Sequence, residues 1–216
     1  MTAVPSSNPA GAHRLTALTA GQPVVFGGDR VTYVPPTMAD AFVDGDRLLI
    51  VGASGDLLHV PALAHRAASS AVDAATGAFG RLGRCDDDQI SEFFARFASS
   101  LRDDEAIERI LAANGRDVDL AANAGRSTTR LVLTEQMRQD MIVGLEVWRD
   151  SPLRRDAPLE RIEHGVWSLE ARQAPLGVVG FVFEGRPNVV ADAAGVVRTG
   201  NTVAMRIGSD ALGTAE

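Results

Sequence analysis

The chain has 216 residues, 45% hydrophobic and 23% charged, enough for one sizeable domain or two small ones. Its formal net charge is −7, from 21 basic and 28 acidic residues, which disfavours a nucleic-acid partner. There is no lysine to form a Schiff base, a single cysteine (Cys85) excludes an internal disulfide or a cysteine zinc cluster, and four scattered histidines (His13, His59, His65, His164) lack ligand spacing, so no metal site is expected.

Residues 1 to about 20 are rich in Ser, Pro, Ala and Gly and read as poorly ordered. PVVFGGDRVTYVPP then predicts two short strands around Gly27-Gly28-Asp29. DRLLIVGASGDLLHVP (Asp46 to Pro61) predicts a second pair. Its glycines, Gly52 and Gly55, follow an apolar run, as a phosphate-binding loop would. However, the spacing is only G-x-x-G, Leu58 stands at the next position for a third glycine, and no helix follows before Pro61. A hairpin loop fits better than a phosphate loop.

From Pro61 the period changes. Ala68, Val72, Ala75, Phe79 and Leu82 mark one helix face. Asp86-Asp87-Asp88 offers an N-cap and first-turn charge for a helix that buries Ile90, Phe93, Phe94, Phe97 and Leu101. Ile107, Ile110 and Leu111 belong to a third helix. A fourth begins near Thr134 and buries Met137, Met141, Leu145 and Trp148. Ser151 to Pro158 reads as a connector, and RIEHGVWSLEARQAP as extended chain broken at Gly165.

GVVGFVF (Gly177 to Phe183) predicts a buried strand. Val189, Val190, Ala193, Val196 and Val197 predict a helix, with Arg198 in its last turn and Gly200 at its cap. TVAMR (Thr202 to Arg206) predicts a second strand. Strand, helix, strand with short connections is a parallel βαβ unit with a right-handed crossover.

The stretch RQAPLGVVGFVFEGRPNVVADAAGVVRTGNTVAMRIGSDAL resembles the γ-glutamyl phosphate reductase (glutamate-5-semialdehyde dehydrogenase) branch of the aldehyde dehydrogenase superfamily. ILAANGRDVDLAANAG and RLVLTEQM extend the likeness back to about residue 64. The resemblance implies an α/β fold: aldehyde-dehydrogenase-like N-terminal helices and the start of a Rossmann-like parallel sheet over 64–216, incomplete, preceded by a β-rich extension over 1–63. It implies NADP-dependent reduction of an activated acyl group, such as glutamyl 5-phosphate, to an aldehyde through a cysteine thioester. The family's cysteine lies downstream of the stretch that matches, so this chain alone is expected to be inactive. Cys85 sits beside three aspartates that disfavour a thiolate, and reads as an incidental or partly buried thiol.

Glu184, Arg186 and Asn188 follow the first strand, at the carboxyl end where α/β sheets place their chemistry. Arg186 suits a carboxylate or phosphate, and Asn188 a developing oxyanion. The alternative is that Arg186 and Glu184 pair with each other for structure. By the resemblance, Arg206, Gly208, Ser209 and Asp210 bind the cofactor. Ser209 stands where relatives that prefer NAD often carry a glutamate, and Arg206 without an adjacent acid favours a 2′-phosphate. Ile207 replaces a family glycine and Asp210 a glutamate; Arg206 as a plain surface arginine is the other reading.

Two further functions stay open: a carboxylic-acid or acyl-thioester reductase on the same scaffold, and a truncated non-catalytic partner subunit. No apolar run reaches the roughly 18 residues that span a bilayer, and no signal peptide is apparent, so a cytoplasmic protein without nucleic-acid or membrane partners is expected. The resemblance implies a homo-oligomer, assembled through the segment near Val166 to Arg172, or a second chain supplying the catalytic domain.

Overall fold

The computed structural model describes residues 14–152 and 157–216. His13, most of the Ser- and Pro-rich start and the middle of the connector lie outside the described residues. The chain divides into two units, one ending at Ser70 and the other running from Ala71 to Glu216.

In the first unit, β1 (Pro23–Phe26) and β2 (Arg30–Tyr33) form the expected antiparallel hairpin, with Val25 opposite Val31. Gly27 and Gly28 turn it at φ of 60° and 92°, values that a side chain would strain. A short helix, α1 (Pro36–Ala41), was not anticipated; Pro36 at its first turn is the signal. Next come β3 (Arg47–Ile50) and β4 (Leu57–Val60), antiparallel, with Leu49 opposite Leu58. Gly52 and Gly55 lie in the loop between them, so the glycine turn is a hairpin loop. Arg30 donates to the carbonyls of Gly52 (2.7 Å) and Ala53 (3.3 Å) and stacks over the Phe26 ring, which tethers the two hairpins at their tips. Leu18, Val34 and Phe42 form the buried centre, lined by Val24, Leu48 and Leu57.

Asp46 organises this unit. Its buried carboxylate accepts from the amides of Val43 (3.0 Å) and Ala62 (2.7 Å) and meets His59 Nε2 at 2.7 Å. These bonds, the Val43 amide first, hold the carboxyl down to about 2. The Ala62 amide is the first of helix α2 (Ala62–Leu82), so Asp46 satisfies an otherwise unpaired donor there. The α2 period agrees with expectation, but the burial does not. Of the expected stripe only Ala75 is buried, and Ala68 and Val72 are exposed. Alanine-rich faces bury too little apolar surface to compete for the centre of the core.

The second unit is built on α3 (Asp87–Arg102), α4 (Asp104–Asn123) and α5 (Glu135–Asp150). Asp86 caps α3 in a reciprocal arrangement with Gln89, and Thr134 caps α5. Ile90, Phe94 and Leu101 of α3 meet Met141, Ile142 and Leu145 of α5 in the main core. Phe93 and Trp148, expected inside, stand at the margin. Cys85 leans on this core, half-buried, its thiol aimed at the Arg81 carbonyl.

The extended stretch around Gly165 folds as an exposed antiparallel hairpin, β5 (Pro158–Glu163) and β6 (Ser168–Arg172). Then β7 (Val178–Val182), α6 (Val189–Arg198) and β8 (Thr202–Arg206) form the βαβ unit, with β7 and β8 parallel as expected. The chain ends in a 3-10 turn (Ser209–Ala211) and α7 (Leu212–Ala215). The expectation that the first strand is buried fails: no residue of β7 is fully buried, and Val182 is 80% exposed. Its continuous apolar run is that of a strand covered on both faces, and among the described residues only β8 pairs with it.

Helix α6 docks closely. Gly195 lies under Trp148, where a Cβ would come within 2.6 Å of the indole. Arg198, read only as a last-turn charge, is buried. Its Nε donates to the Ser151 carbonyl (2.6 Å), its Nη2 to the same oxygen, and its Nη1 to Ser91 Oγ (3.0 Å).

Candidate active site

The register of the parallel pair sets the site. Val182 stands opposite Arg206, and the Phe183 amide donates to the Arg206 carbonyl at 2.8 Å. Both strands therefore finish at one edge, and the loops 183–188 and 207–210 leave it together. Gly208 presses on Gly185: a Cβ at 208 would lie 2.6 Å from the Gly185 nitrogen. Gly185 is constrained in turn, with a Cβ there only 3.3 Å from that of Asp210. Ile207 occupies the family's glycine position without disturbing this crossing and packs on the small cluster of Ala121, Leu131 and Ala211.

Two buried polar residues of α4 hold segments that neighbour these loops. Asn114 donates to the Leu131 carbonyl (2.7 Å) and Thr214 Oγ1 (3.1 Å), and its oxygen accepts from the Leu133 amide (2.8 Å). Asp117 accepts from the Thr214 amide and hydroxyl, both at 2.7 Å. The segment ILAANGRDVDLAANAG is thus a bracket that holds the 128–133 loop and the start of α7.

Glu184 does not pair with Arg186. It bonds Arg130 Nη1 at 2.8 Å, both side chains largely exposed, so the alternative that Glu184 and Arg186 pair is corrected. Arg186 instead faces a cleft of 740 Å³ lined by Thr129, Arg130, Met137, Val182, Phe183 and Glu184. The arginine at 130 was missed because it lies 54 residues earlier, in a polar loop with no periodicity.

Asn188 is the N-cap residue of α6. Its Nδ2 donates to Asp192 Oδ2 at 2.9 Å, and its Oδ1 is buried without a partner among the described residues. An amide nitrogen has two hydrogens, so one remains for another acceptor. Burial raises the Asp192 carboxyl above its usual range, and the Arg186 guanidinium partly offsets this. Asn188 and Asp192 border a second groove of 340 Å³ between α5 and α6, which Gln136, Asp140 and Trp148 also line. Asp192 was not singled out from sequence, although Asn188-x-x-x-Asp192 is an i, i+4 pair on a helix.

At the β8 end, Arg206 is exposed, with no ion pair or hydrogen bond from its side chain among the described residues. Asp210 bonds Arg126 Nη1 at 2.6 Å, and Ser209 Oγ lies 3.4 Å from Asp210. The Asp210 charge is therefore already balanced. The exposed Arg206 guanidinium and the Ser209 hydroxyl are the groups at this end that could donate to an anion, beside an acid whose charge is balanced by Arg126.

A helical layer leading into a parallel βαβ unit whose strand ends carry arginine and asparagine gives the chain an aldehyde-dehydrogenase-like fold. Crystal structures of γ-glutamyl phosphate reductases share it. The Thermotoga maritima protein matches at a TM-score of 0.62 with 24% identity, over 68% of this chain and 36% of that one. The Saccharomyces cerevisiae protein matches at 0.63 with 21% identity, over 68% and 38%. In sequence, the chain is similar to γ-glutamyl phosphate reductases of Cutibacterium acnes (37% identical over 142 residues, 61% of this chain) and Lactiplantibacillus plantarum (39% over 108 residues, 49% of this chain). It spans 32% and 26% of those two relatives. No protein-family model matches the chain.

Proposed function

We propose that this chain is the N-terminal, cofactor-binding part of an NADP(H)-dependent oxidoreductase that reduces an acyl phosphate, of the glutamyl 5-phosphate type, to an aldehyde. The observation that carries this reading is the strand register at Val182 and Arg206. It gives the loop of Glu184, Arg186 and Asn188 and the loop of Arg206, Gly208, Ser209 and Asp210 a common edge, in a chain whose relatives bear that reductase's name.

In this reading Arg206 pairs with the 2′-phosphate, and the Ser209 hydroxyl adds a donor. Arg126 keeps Asp210 from repelling the phosphate. The contact of Gly208 with Gly185 keeps the two loops at a fixed separation. Bound NADPH supplies hydride. Asn188 donates its free N–H to the oxygen on which negative charge develops, with Asp192 orienting the amide. Arg186, with Arg130 and Glu184 beside it, receives the anionic end of the substrate. The thioester-forming cysteine belongs to the part of the reductase that this chain does not span, or to a second chain. Residues 1–63 are an extension that recognises the acyl donor or a partner. The assembly is a cytoplasmic homo-oligomer acting on a small molecule.

The test is NADPH oxidation by the complete protein with acyl phosphates, acyl thioesters and acyl adenylates. Turnover with acyl phosphates is expected. Turnover with thioesters alone would move the assignment to a thioester reductase, and no oxidation with any of the three would overturn it.

A further inference from the structure

Among the described strands of the first unit, PVVF, RLLI and LLHV carry apolar side chains on both faces, as strands covered on both sides do, whereas RVTY alternates, with Arg30 and Thr32 on the inner face and Val31 and Tyr33 on the outer. The pairing shows which face is uncovered. Val24, Leu48 and Leu57 turn inward to Leu18, Val34 and Phe42. The cross-strand pairs Pro23–Tyr33 and Val25–Val31 of the first hairpin, and Leu49–Leu58 of the second, point the other way. Val25 is 65% exposed, Val31 46%, Tyr33 64%, Leu49 53% and Leu58 48%.

The unit is also small for what it exposes. Among the described residues both sheets are two-stranded, so each of these strands is an edge, and isolated hairpins of this kind are marginal in water. Together the outward side chains present on the order of 500 Å² of apolar surface. A standard interface takes about 800 Å² from each partner, somewhat over half of it apolar, so the exposed area is what one side of a stable dimer requires. At the rim, Arg47 shares a face with Leu49, and its Nε is buried with no acceptor among the described residues.

Charge favours a like partner here. Described residues up to Ser70 hold four arginines and five aspartates, so nearly all of the net charge of −7 resides after residue 70. Apart from Arg47 at the rim, the outward pairs carry no charge. Two copies meeting through this surface meet without the repulsion that the second unit would impose.

We propose that the outward faces of these two hairpins form a self-association surface, occupied by a second copy of this chain. It is separate from assembly through the β5–β6 hairpin and holds whichever acyl donor the enzyme uses.

The test is sedimentation of the full chain over a wide concentration range, with the double variant Val25→Arg/Leu49→Arg and, separately, Trp167→Glu in the β5–β6 hairpin. The wild-type chain is expected to dimerise. The double variant should weaken dimerisation roughly 100-fold, and Trp167→Glu should leave this contact in place. Should the double variant unfold, a wild-type melting temperature that rises with concentration, and does so equally in Trp167→Glu, still supports the surface. A wild-type chain that stays monomeric overturns the proposal. So does a folded double variant that dimerises as before, or dimerisation lost only in Trp167→Glu.

Discussion

Gly208 and Gly185 touch backbone to backbone, and a Cβ at 208 would lie 2.6 Å from the Gly185 nitrogen. That contact holds together the two loops that carry the candidate site. Gly208 has an ordinary extended conformation (φ −63°, ψ 142°), so crowding alone forbids a side chain there. Gly208→Ala is expected to cost about 1–3 kcal/mol, as overpacking does. Urea denaturation checks this, and an unchanged midpoint would mean that the loops part freely.

Arg198 ties α6 to the carbonyl of Ser151 and the hydroxyl of Ser91. Removing it takes the donors from the part-buried Ser151 carbonyl and leaves Ser91 Oγ only its bond to the Arg149 carbonyl (3.4 Å). Arg198→Ala should destabilise the protein by about 2–3 kcal/mol. Arg198→Lys should recover little, because one ammonium cannot reproduce a planar fork. Thermal unfolding of both variants, followed by circular dichroism, separates the fork from the charge.

The Asp46 carboxyl is held down to about 2, against an ordinary 3.8. A depressed acid stabilises the fold above its unfolded value, and that contribution fades as pH falls from about 4 towards 2. The amide resonances of Val43 and Ala62, which donate to it, should show a carboxylate step centred near 2, below the ordinary carboxylate range. In Asp46→Asn this step should be absent. Movement centred near 3.8 in the wild-type protein would contradict the hydrogen-bonded carboxylate.

Asn188 and Asp192 divide one task. If Asn188 supports the developing oxyanion, Asn188→Ala in the complete enzyme should lower kcat about 100-fold with KM little changed. Asp192→Ala frees the amide without removing it, so a smaller loss of kcat is expected, with Asp192→Asn closer to wild type. Equal losses in all three variants would point to folding rather than to the amide.

Much of the fold was legible because its signals are local. Asp86 and Thr134 announce the starts of α3 and α5 by their capping chemistry, and Gly27-Gly28 announces a hairpin. The βαβ unit followed from the change of period between Gly177 and Arg206. What escaped was non-local. Arg130 reaches Glu184 across 54 residues, and Asp117 reaches Thr214 across 97. Nothing in the surrounding pattern marks such partners. Burial was also overread at Val72 and Val182, where apolar period shows which residues share a face but not whether anything covers it. The candidate residues came from a strand-end position (Glu184, Arg186, Asn188) and from resemblance (Arg206, Gly208, Ser209, Asp210), and their pairing (Glu184 with Arg130, Asn188 with Asp192, Asp210 with Arg126) emerged only in three dimensions.

The claim that the β7–β8 edge is a nicotinamide-nucleotide site is tested most directly by titrating NADPH and NADH against the complete protein and its Arg206→Ala variant, followed by nucleotide fluorescence. Tighter binding of NADPH is expected in the wild-type protein, with loss of that preference in Arg206→Ala. Equal affinity for both nucleotides, or a preference that survives the substitution, would contradict it.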